Sequence, residues 1–230
     1  MPRLTPTRRR GIEWLDEEDD PRIQRRSHRD IALANRLFGG VHAVRAELIP
    51  YLASLRGEVT LLDIGTGTGD IPEHLIRATA RHGVSLRVIG LDGRAELVAA
   101  TREWPVDPVC ANALALPFAT GSIDVVIASQ VLHHFELADA ARVLQEMHRV
   151  AKRRVIIADL RRSSVAAAAL WLVSFPLGFH PVSRHDGVVS ILRGFLRPEL
   201  RSLVRDAVVI DPRVNHRFAY RITASWSPTG

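Results

Sequence analysis

The strongest constraint on the fold of this 230-residue chain is a short strand that runs directly into a glycine-rich turn. Residues 59–64 are largely apolar, and residues 71–80 repeat apolar side chains at helical spacing. Between them, Gly65, Gly67 and Gly69 occupy every second position. A strand, a glycine turn and a helix in this order form the ligand-binding corner of open α/β sheets. The segment therefore predicts an α/β fold with a ligand at the turn.

The same alternation of strand and helix continues along the chain. Further strands are predicted at 86–91, 106–111, 123–128, 155–158, 207–210 and 217–223. Helices are predicted at 21–38, 41–52, 94–103 and 137–151. Alternating strands and helices indicate a mostly parallel sheet with helices on both faces, and the last two strands predict a closing antiparallel hairpin.

The charge and the single cysteine restrict which partners and which compartment we expect for the protein. The net charge is +6, but Lys152 is the only lysine and the arginines are scattered along the chain. A phosphate-binding surface needs clustered charge, so we do not predict nucleic acid as a partner. Residues 165–179 form the most apolar stretch, which is too short and too interrupted for a membrane span. Cys110 is expected to be a small buried residue, and the lack of a leader or a disulfide favours the cytoplasm.

Acidic residues around the glycine turn restrict the kind of ligand. A dinucleotide fingerprint needs a small residue where this chain has Asp70. Asp63 and Asp70 would oppose a phosphate at the helix N-terminus and would favour a cationic ligand. Asp92 ends the next strand, where a carboxylate accepts hydrogen bonds from ribose hydroxyls. Asn112 follows the third strand, and it either accepts from an adenine amino group or bonds its own backbone in a turn.

Five segments resemble, in matching order, the motifs of class I methyltransferases that use S-adenosylmethionine (SAM), especially those of ubiquinone and menaquinone biosynthesis. The segments are 61–70, 88–92, 112–118, 122–128 and 132–135. The resemblance implies a seven-stranded Rossmann-like fold with SAM as cofactor. It also implies that the three turn glycines approach the methionine part, Asp92 the ribose and Asn112 the adenine. The family commonly has aspartate at the position of Asn112.

The candidate cofactor-binding residues are therefore Asp63, Gly65, Thr66, Gly67, Gly69, Asp92, Gly93, Asn112, Ala113 and Ser129. The resemblance further suggests a domain organisation. Residues 1–20 are predicted to be a flexible charged tail, and residues 21–56 to be helices that cover the cofactor site. Residues 57–230 are predicted to form the methyltransferase domain, with a substrate-selecting insertion at about 161–205.

Two histidines are candidates for a general base. His133 follows the fourth strand, at the sheet edge where ligands of such folds bind, although it could also simply pack beside the cofactor. His185 lies in a polar cluster with Arg184 and Asp186. The apolar stretch before this cluster either lines an acceptor pocket or forms a core helix. This region resembles, more loosely, methyltransferases of bacterial polyketide and phenolic-lipid pathways.

We therefore expect methyl transfer from SAM to a hydroxyl of an apolar aromatic or polyketide-type small molecule. His133 or His185 would be the base, and no metal is expected because no metal-ligand cluster is evident. Carbon methylation of a quinone-type ring is the first alternative. A nicotinamide-dependent oxidoreductase and a catalytically silent SAM-binding protein are the others.

Overall fold

The computed structural model of the chain describes residues 5–9, 11–80 and 82–228. Its centre is a single seven-stranded sheet in the order β3-β2-β1-β4-β5-β7-β6. The strands are β1 Glu58–Ile64, β2 Ser85–Asp92, β3 Val106–Cys110, β4 Ile123–Ser129, β5 Ala151–Leu160, β6 Arg213–Arg217 and β7 Arg221–Trp226. Strands β1 to β5 pair in parallel, whereas β7 runs antiparallel to both β5 and β6. The predicted fold class, including the C-terminal hairpin, is confirmed.

Helices surround this sheet. They are α1 Pro21–Leu37, α2 Gly40–Leu52, α3 Asp70–Ala80, α4 Ala95–Ala100, α5 Leu137–Val150, α6 Ser164–Ser174, α7 Pro181–Arg193 and α8 Arg197–Val208. Helix α1 begins where the sequence predicts, because the Asp20 side chain accepts a hydrogen bond from the Arg22 N–H and Pro21 takes the first helical position. Within the described ranges, none of the helices has the length and hydrophobicity needed to cross a bilayer.

Two hydrophobic cores lie on opposite faces of the sheet. Successive side chains of a strand point to opposite faces, so Leu61 packs in one core and Leu62 in the other. Helices α2 and α3 cover the first face, with Leu48 and Leu75 fully buried there. Helices α5 and α8 cover the second face, where Leu144 is fully buried. The parallel sheet is thus buried on both sides, as its continuous apolar strands require.

The predicted strand at 207–210 is wrong. Leu200 and Val204, four residues apart, are fully buried on one side of α8, and this helix continues to Val208. A short apolar run looks the same at the end of a helix as in a strand, which explains the error. The hairpin consists of β6 and β7 instead. The predicted strand at 217–223 is therefore also wrong, because it spans the end of β6, the turn that contains Tyr220 with a φ of 57°, and the start of β7.

The strand order places a binding crevice at one edge of the sheet. Strand β1 has β2 on one side and β4 on the other. The chain adds β2 and β3 on one side of β1 and then returns to its other side with β4, which makes a switch point between β1 and β4. Ligands of open α/β sheets bind outside the carboxyl ends of the strands at such a switch point.

Candidate active site

A cavity of about 880 Å³ opens at the carboxyl ends of β1, β2 and β4. The loops that follow these strands form its floor. Residues from the N-terminal segment, α1, α6 and α7 form the remaining walls. The volume suits a cofactor together with a small-molecule substrate.

The glycine turn after β1 is held open toward this cavity. The N–H groups of Gly65 and Thr66 both donate to the Leu91 carbonyl, at 2.8 and 3.0 Å, which ties the turn to the end of β2. Gly67 has a φ of +56°, and no atom of the described chain beyond its neighbours lies within 4 Å of where a Cβ would stand. A ligand can therefore approach the backbone of Gly67 closely.

Three carboxylates surround this turn. The Asp92 carboxylate accepts from the N–H groups of Gly67 and Arg94, at 3.0 Å each. Burial, together with the charges of Asp70 and Asp92, raises the pKa of Asp63 to about 8, although a hydrogen bond from the Thr66 hydroxyl acts in the opposite direction. Burial also raises the pKa of Asp70. A positive charge in the cavity would relieve this repulsion, which supports the prediction of a cationic ligand.

A chain of polar side chains that sequence reasoning missed lies beside the same turn. The Asn35 Nδ2 donates to Asp70 at 2.9 Å, and the Asn35 oxygen accepts from Gln130. Gln130 in turn accepts from the buried Arg221, whose Nε donates to the Phe38 carbonyl at 2.8 Å. Burial lowers the pKa of Arg221 to about 10. These residues come from α1, the loop after β4 and β7, so no local motif signals them.

Nine of the ten predicted cofactor-binding residues line the cavity: Asp63, Gly65, Thr66, Gly67, Asp92, Gly93, Asn112, Ala113 and Ser129. Gly69 is the exception, because a Cβ there would face Trp104 at 3.0 Å. The Asn112 oxygen accepts from the Leu114 N–H at 2.9 Å, which is the turn bond offered as the alternative to adenine binding. Cys110 also lines the cavity and is exposed, contrary to the expectation that it is buried.

Polar atoms in the wall of the cavity are suited to a bound nucleoside. The hydroxyl of Ser129 is buried, and it has no hydrogen-bond partner among the residues described. Buried polar groups are normally paired, so this hydroxyl is available for a ligand. Together with the three acidic side chains and the open backbone of Gly67, it fits SAM, which combines hydroxyl and amino groups with positive charge.

His133 stands at the far side of the cavity, paired with the end of β5. Its Nδ1 lies 2.7 Å from Asp159 Oδ1, and both side chains are buried. Burial by itself raises the pKa of Asp159, but the charge and hydrogen bond of His133 and the N–H of Leu160 outweigh it, so this pKa lies below its usual value. His133 Nε2 has no hydrogen-bond partner in the described part of the chain. The imidazole is therefore oriented by Asp159, and its other nitrogen is left without a hydrogen bond in the wall of the cavity.

Glu13 from the N-terminal segment approaches that nitrogen. Its Oε1 lies 3.8 Å from both His133 Nε2 and His134 Nδ1. Ser190 donates to the same oxygen at 2.7 Å, and an Arg193 Nη1 lies 3.7 Å away. Burial raises the pKa of Glu13, whereas burial and the nearby His133 and Arg193 lower the pKa of His134 to about 3.

Within residues 5–9, 11–80 and 82–228, these three residues are the candidate metal ligands. One donor atom from each of Glu13, His133 and His134 lies within 4.8 Å of the others. The hydrogen bond from Ser190 and the guanidinium of Arg193 compete with a cation for the Glu13 carboxylate. Metal-independent chemistry stays a prediction.

His185 does not line the cavity. Its ring stacks on Trp14 with centroids 3.7 Å apart, and its Nδ1 lies 2.8 Å from Asp186 Oδ1. Asp186 also accepts from the backbone N–H groups of Trp14 and Leu15, at 2.8 and 2.9 Å. Arg184 donates to Ser174 and to a backbone carbonyl. The polar cluster at 184–186 thus binds neighbouring segments to α7. Of the two histidines predicted as the general base, only His133 lines the cavity.

The N-terminal segment closes the side of the cavity that contains His133. Arg8 donates to the carbonyls of His133, Phe135 and Arg193, at 3.2, 3.0 and 2.7 Å. Its guanidinium also lies over the Phe195 ring, 4.7 Å from the centroid. The described part of residues 1–20 therefore makes specific contacts, whereas positions 1–4 and 10 lie outside the described residues. The predicted flexibility of residues 1–20 concerns motion and stays a prediction.

Comparisons with known proteins agree with this geometry. A family model described as a methyltransferase domain matches residues 62–158. The biotin biosynthesis bifunctional protein BioHC of Cellvibrio japonicus is 31% identical over 137 residues, which cover 58% of this chain and 26% of that protein. The 2-phytyl-1,4-naphtoquinone methyltransferase of Thermosynechococcus vestitus is 28% identical over 173 residues, which cover 69% of this chain and 72% of that enzyme.

Solved structures share the fold. A SAM-dependent methyltransferase from Aquifex aeolicus superimposes with a TM-score of 0.57 and 18% identity, covering 96% of this chain and all of that one. Magnesium protoporphyrin IX methyltransferase from Synechocystis, solved with bound S-adenosylhomocysteine, gives 0.56 and 17% identity, covering 91% and 89% of the two chains. The family match, the fold and the cavity that fits SAM agree with the resemblance found in the sequence. The chain therefore contains a class I, SAM-dependent methyltransferase domain.

Proposed function

We propose that this protein transfers the methyl group of SAM to a hydroxyl of an apolar aromatic or polyketide-type small molecule, with His133 as the general base. The observation that carries the proposal is the buried, unpartnered Nε2 of His133, a residue of the cavity lining whose Nδ1 is held 2.7 Å from Asp159. SAM supplies a methyl group on a good leaving group, so the protein must mainly orient the acceptor and remove its proton.

The Asp159–His133 pair is built to take that proton. Asp159 orients the ring, and the Nε2 can accept the proton of an acceptor hydroxyl, which leaves the acceptor oxygen nucleophilic toward the methyl group that SAM would supply. The imidazolium formed is stabilised by Asp159 on one side and by Glu13, 3.8 Å from Nε2, on the other. The proton thus stays on His133 until it exchanges with solvent after product release.

The walls around His133 support an apolar acceptor. Side chains from six segments line this half of the cavity: Leu15, Ile31, Phe135, Ala166, Ala169, Leu170, Val173, Phe179 and Ile191. Such a lining binds an acceptor through buried apolar area, while a few polar groups set its orientation. Ser183 Oγ is one of these groups, because it is buried in the lining without a partner in the described chain.

Carbon methylation of a quinone-type ring is the second candidate. It is supported by the 28% identity to the 2-phytyl-1,4-naphtoquinone methyltransferase of Thermosynechococcus vestitus. The same base would serve, because a phenolic ring becomes nucleophilic at carbon when its hydroxyl loses a proton. Mass spectrometry with a methyl-labelled donor and a set of phenols and naphthoquinols separates the two, because only a methyl ether is cleaved by boron tribromide.

The test compares two histidines that differ in their access to the cavity. His133→Ala should lower kcat for the best acceptor by about 100-fold or more, because a positioned base contributes about that much. The affinity for SAM, measured by calorimetry, should change less than about threefold, since His133 removes a proton rather than binding the cofactor.

His185→Ala is the matched control. This histidine stacks on Trp14 outside the cavity lining, so turnover by the variant should stay within about threefold of wild type. Equal losses in both variants, or full activity in His133→Ala, would show that His133 is not the base. Asp159→Asn should reproduce most of the loss and shift the pH profile of kcat, because it removes the charge that orients the ring.

A further inference from the structure

The outer side of α6 exposes an apolar surface. Trp171, Leu172 and Phe175 are 48%, 62% and 48% exposed, and the Trp171 and Phe175 rings meet edge to face at 4.9 Å. Val165 and Val173 on the same helix are also nearly half exposed, and α6 contains no charged residue. Scattered exposed apolar side chains are ordinary, but a contiguous group of large ones marks an interaction surface.

A basic stripe of α1 lies beside this surface. Arg22, Arg25, Arg26 and Arg29 have i, i+3, i+4 and i+7 spacing, which places them on one face of the helix, and all four are exposed. The Arg26 Nη2 donates to the carbonyl of Gly178 at 2.6 Å. Gly178 belongs to the turn that follows α6, so the stripe borders the apolar end of that helix.

Positive charge dominates this border. Asp30 is the only acidic residue of α1, and its buried side chain is paired with Arg26 at 3.3 Å. Arg184 from α7 lies over the Phe175 ring, 3.6 Å from its centroid. The acidic residues 16–20 precede the stripe, and within them Asp20 is used to cap α1. The stripe itself therefore presents the guanidinium groups of Arg22, Arg25 and Arg29 to solvent, whereas Arg26 is paired with Asp30.

Exposed residues of the same two helices line the cavity. Ile31 of α1 and Val173 of α6 both line the cavity, and both are 41% exposed. They therefore form part of its rim. An apolar acceptor that enters past them passes directly beside the exposed rings of α6.

We propose that the docking surface formed by Trp171 and Leu172 of α6, Phe175 directly after it, and Arg22, Arg25, Arg26 and Arg29 of α1 binds an anionic lipid bilayer. The apolar side chains would enter the boundary between headgroups and acyl chains, a position that suits the amphipathic ring of tryptophan. The arginines would contact anionic headgroups. This placement turns the cavity mouth toward the membrane, where apolar molecules accumulate.

The inference concerns binding of the protein to a surface and goes beyond methyl transfer. It is tested without SAM and without acceptor, so its failure would leave the proposed function untouched. The full chain is sedimented with vesicles of phosphatidylcholine, with or without about 30 mol% phosphatidylglycerol. We expect binding to the anionic vesicles, with at least about tenfold weaker partitioning when the anionic lipid is left out or the salt is raised to about 0.5 M.

Two variants separate the apolar and basic contributions. W171S/L172S and R22E/R25E/R29E should each partition at least about tenfold more weakly than wild type. Arg26 is left intact because it bonds Gly178 and pairs with Asp30. The controls are V209S, which removes an 89% exposed apolar side chain from the end of α8, and R45E/R102E, which reverses exposed charges in other elements. Both should bind within about twofold of wild type.

Depth of insertion is measured with brominated acyl chains, which quench tryptophan fluorescence on contact. Wild type should be quenched on the anionic vesicles, whereas W171F should bind equally well and lose most of the quenching. Absence of binding to anionic vesicles, or wild-type binding by both surface variants with circular dichroism unchanged, would overturn the proposal. A dimer in sedimentation equilibrium that W171S/L172S dissolves would assign the surface to a second copy instead, which also overturns it.

Discussion

The two halves of the cavity are built in different ways. In the half proposed to hold SAM, called the cofactor half, Asp63, Gly65, Gly67 and Asp92 lie on or directly after neighbouring strands of the sheet. In the half proposed to hold the acceptor, called the acceptor half, Glu13, His133 and Ser190 come from the N-terminal segment, the loop after β4 and α7. The sheet therefore positions the first half through backbone geometry, whereas side-chain contacts between distant segments position the second. Changes in the two halves should affect different steps.

The largest effect within this comparison is expected in the cofactor half. Asp92→Ala removes the acceptor of the Gly67 and Arg94 N–H groups and the partner proposed for the ribose hydroxyls. SAM affinity should fall by about 100-fold, because hydrogen bonds to a charged group are worth about 1.5–3 kcal/mol each. Calorimetric titration with SAM measures this loss.

Asp107→Ala serves as the matched control for Asp92. Asp107 lies on the adjacent strand β3, and its half-exposed carboxylate pairs with Arg87 at 2.9 Å. An exposed pair contributes little, so SAM affinity should change less than about twofold. Equal SAM affinity of wild type and Asp92→Ala would remove Asp92 from the cofactor site.

A smaller effect is expected from pH. Because the pKa of Asp63 is raised to about 8, this carboxyl is mostly protonated in the ligand-free protein at neutral pH. A bound cation favours its charged form, so binding releases a proton and SAM affinity should rise about tenfold from pH 6 to pH 7. Asp63→Asn should flatten this dependence. Calorimetry in two buffers of different ionisation enthalpy counts the released protons.

The same shift has a consequence for stability. A pKa raised above that of the unfolded chain contributes stability that is present at low pH and is lost as pH rises toward about 8. The ligand-free wild type should therefore lose more of its unfolding free energy between pH 5 and 8 than Asp63→Asn loses. Identical pH profiles of melting temperature in the two proteins would show that Asp63 titrates normally.

The smallest effect is expected from Asp186, which binds the N-terminal segment to α7. Asp186→Ala removes the acceptor for the N–H groups of Trp14 and Leu15, which loosens the segment carrying Glu13. The KM for the acceptor should rise about fivefold, and about 1–2 kcal/mol of stability should be lost. Steady-state kinetics and thermal melting measure both, with Asp206→Ala on the exposed face of α8 as control.

The SAM affinity of Asp186→Ala tests whether the two halves of the cavity are independent of each other. If the two halves are separate, SAM affinity of Asp186→Ala should stay within about twofold of wild type. A loss of SAM affinity as large as the rise in acceptor KM would show that the N-terminal segment holds both ligands together.

Local patterns in the sequence predicted most of the architecture. The glycine turn, the apolar strands and the helical periodicities indicated the order and class of the elements, because each depends on residues close together in the chain. The strand at 207–210 failed because a short apolar run fits both a strand and the last turn of a helix, and the packing of Leu200 and Val204 decided for the helix.

The sequence by itself determined the fold class, the position of the cofactor turn and the acidic character around it, since all three follow from residues within one strand–turn–helix unit and its neighbour. Tertiary structure alone decided which of the two histidines predicted as the base, His133 and His185, lines the cavity. It brought Asp159 to His133, placed Glu13 opposite them and turned His185 away toward Trp14. These contacts join residues that are far apart in the chain, and only the packing of the sheet, α7 and the N-terminal segment determines the distances between them.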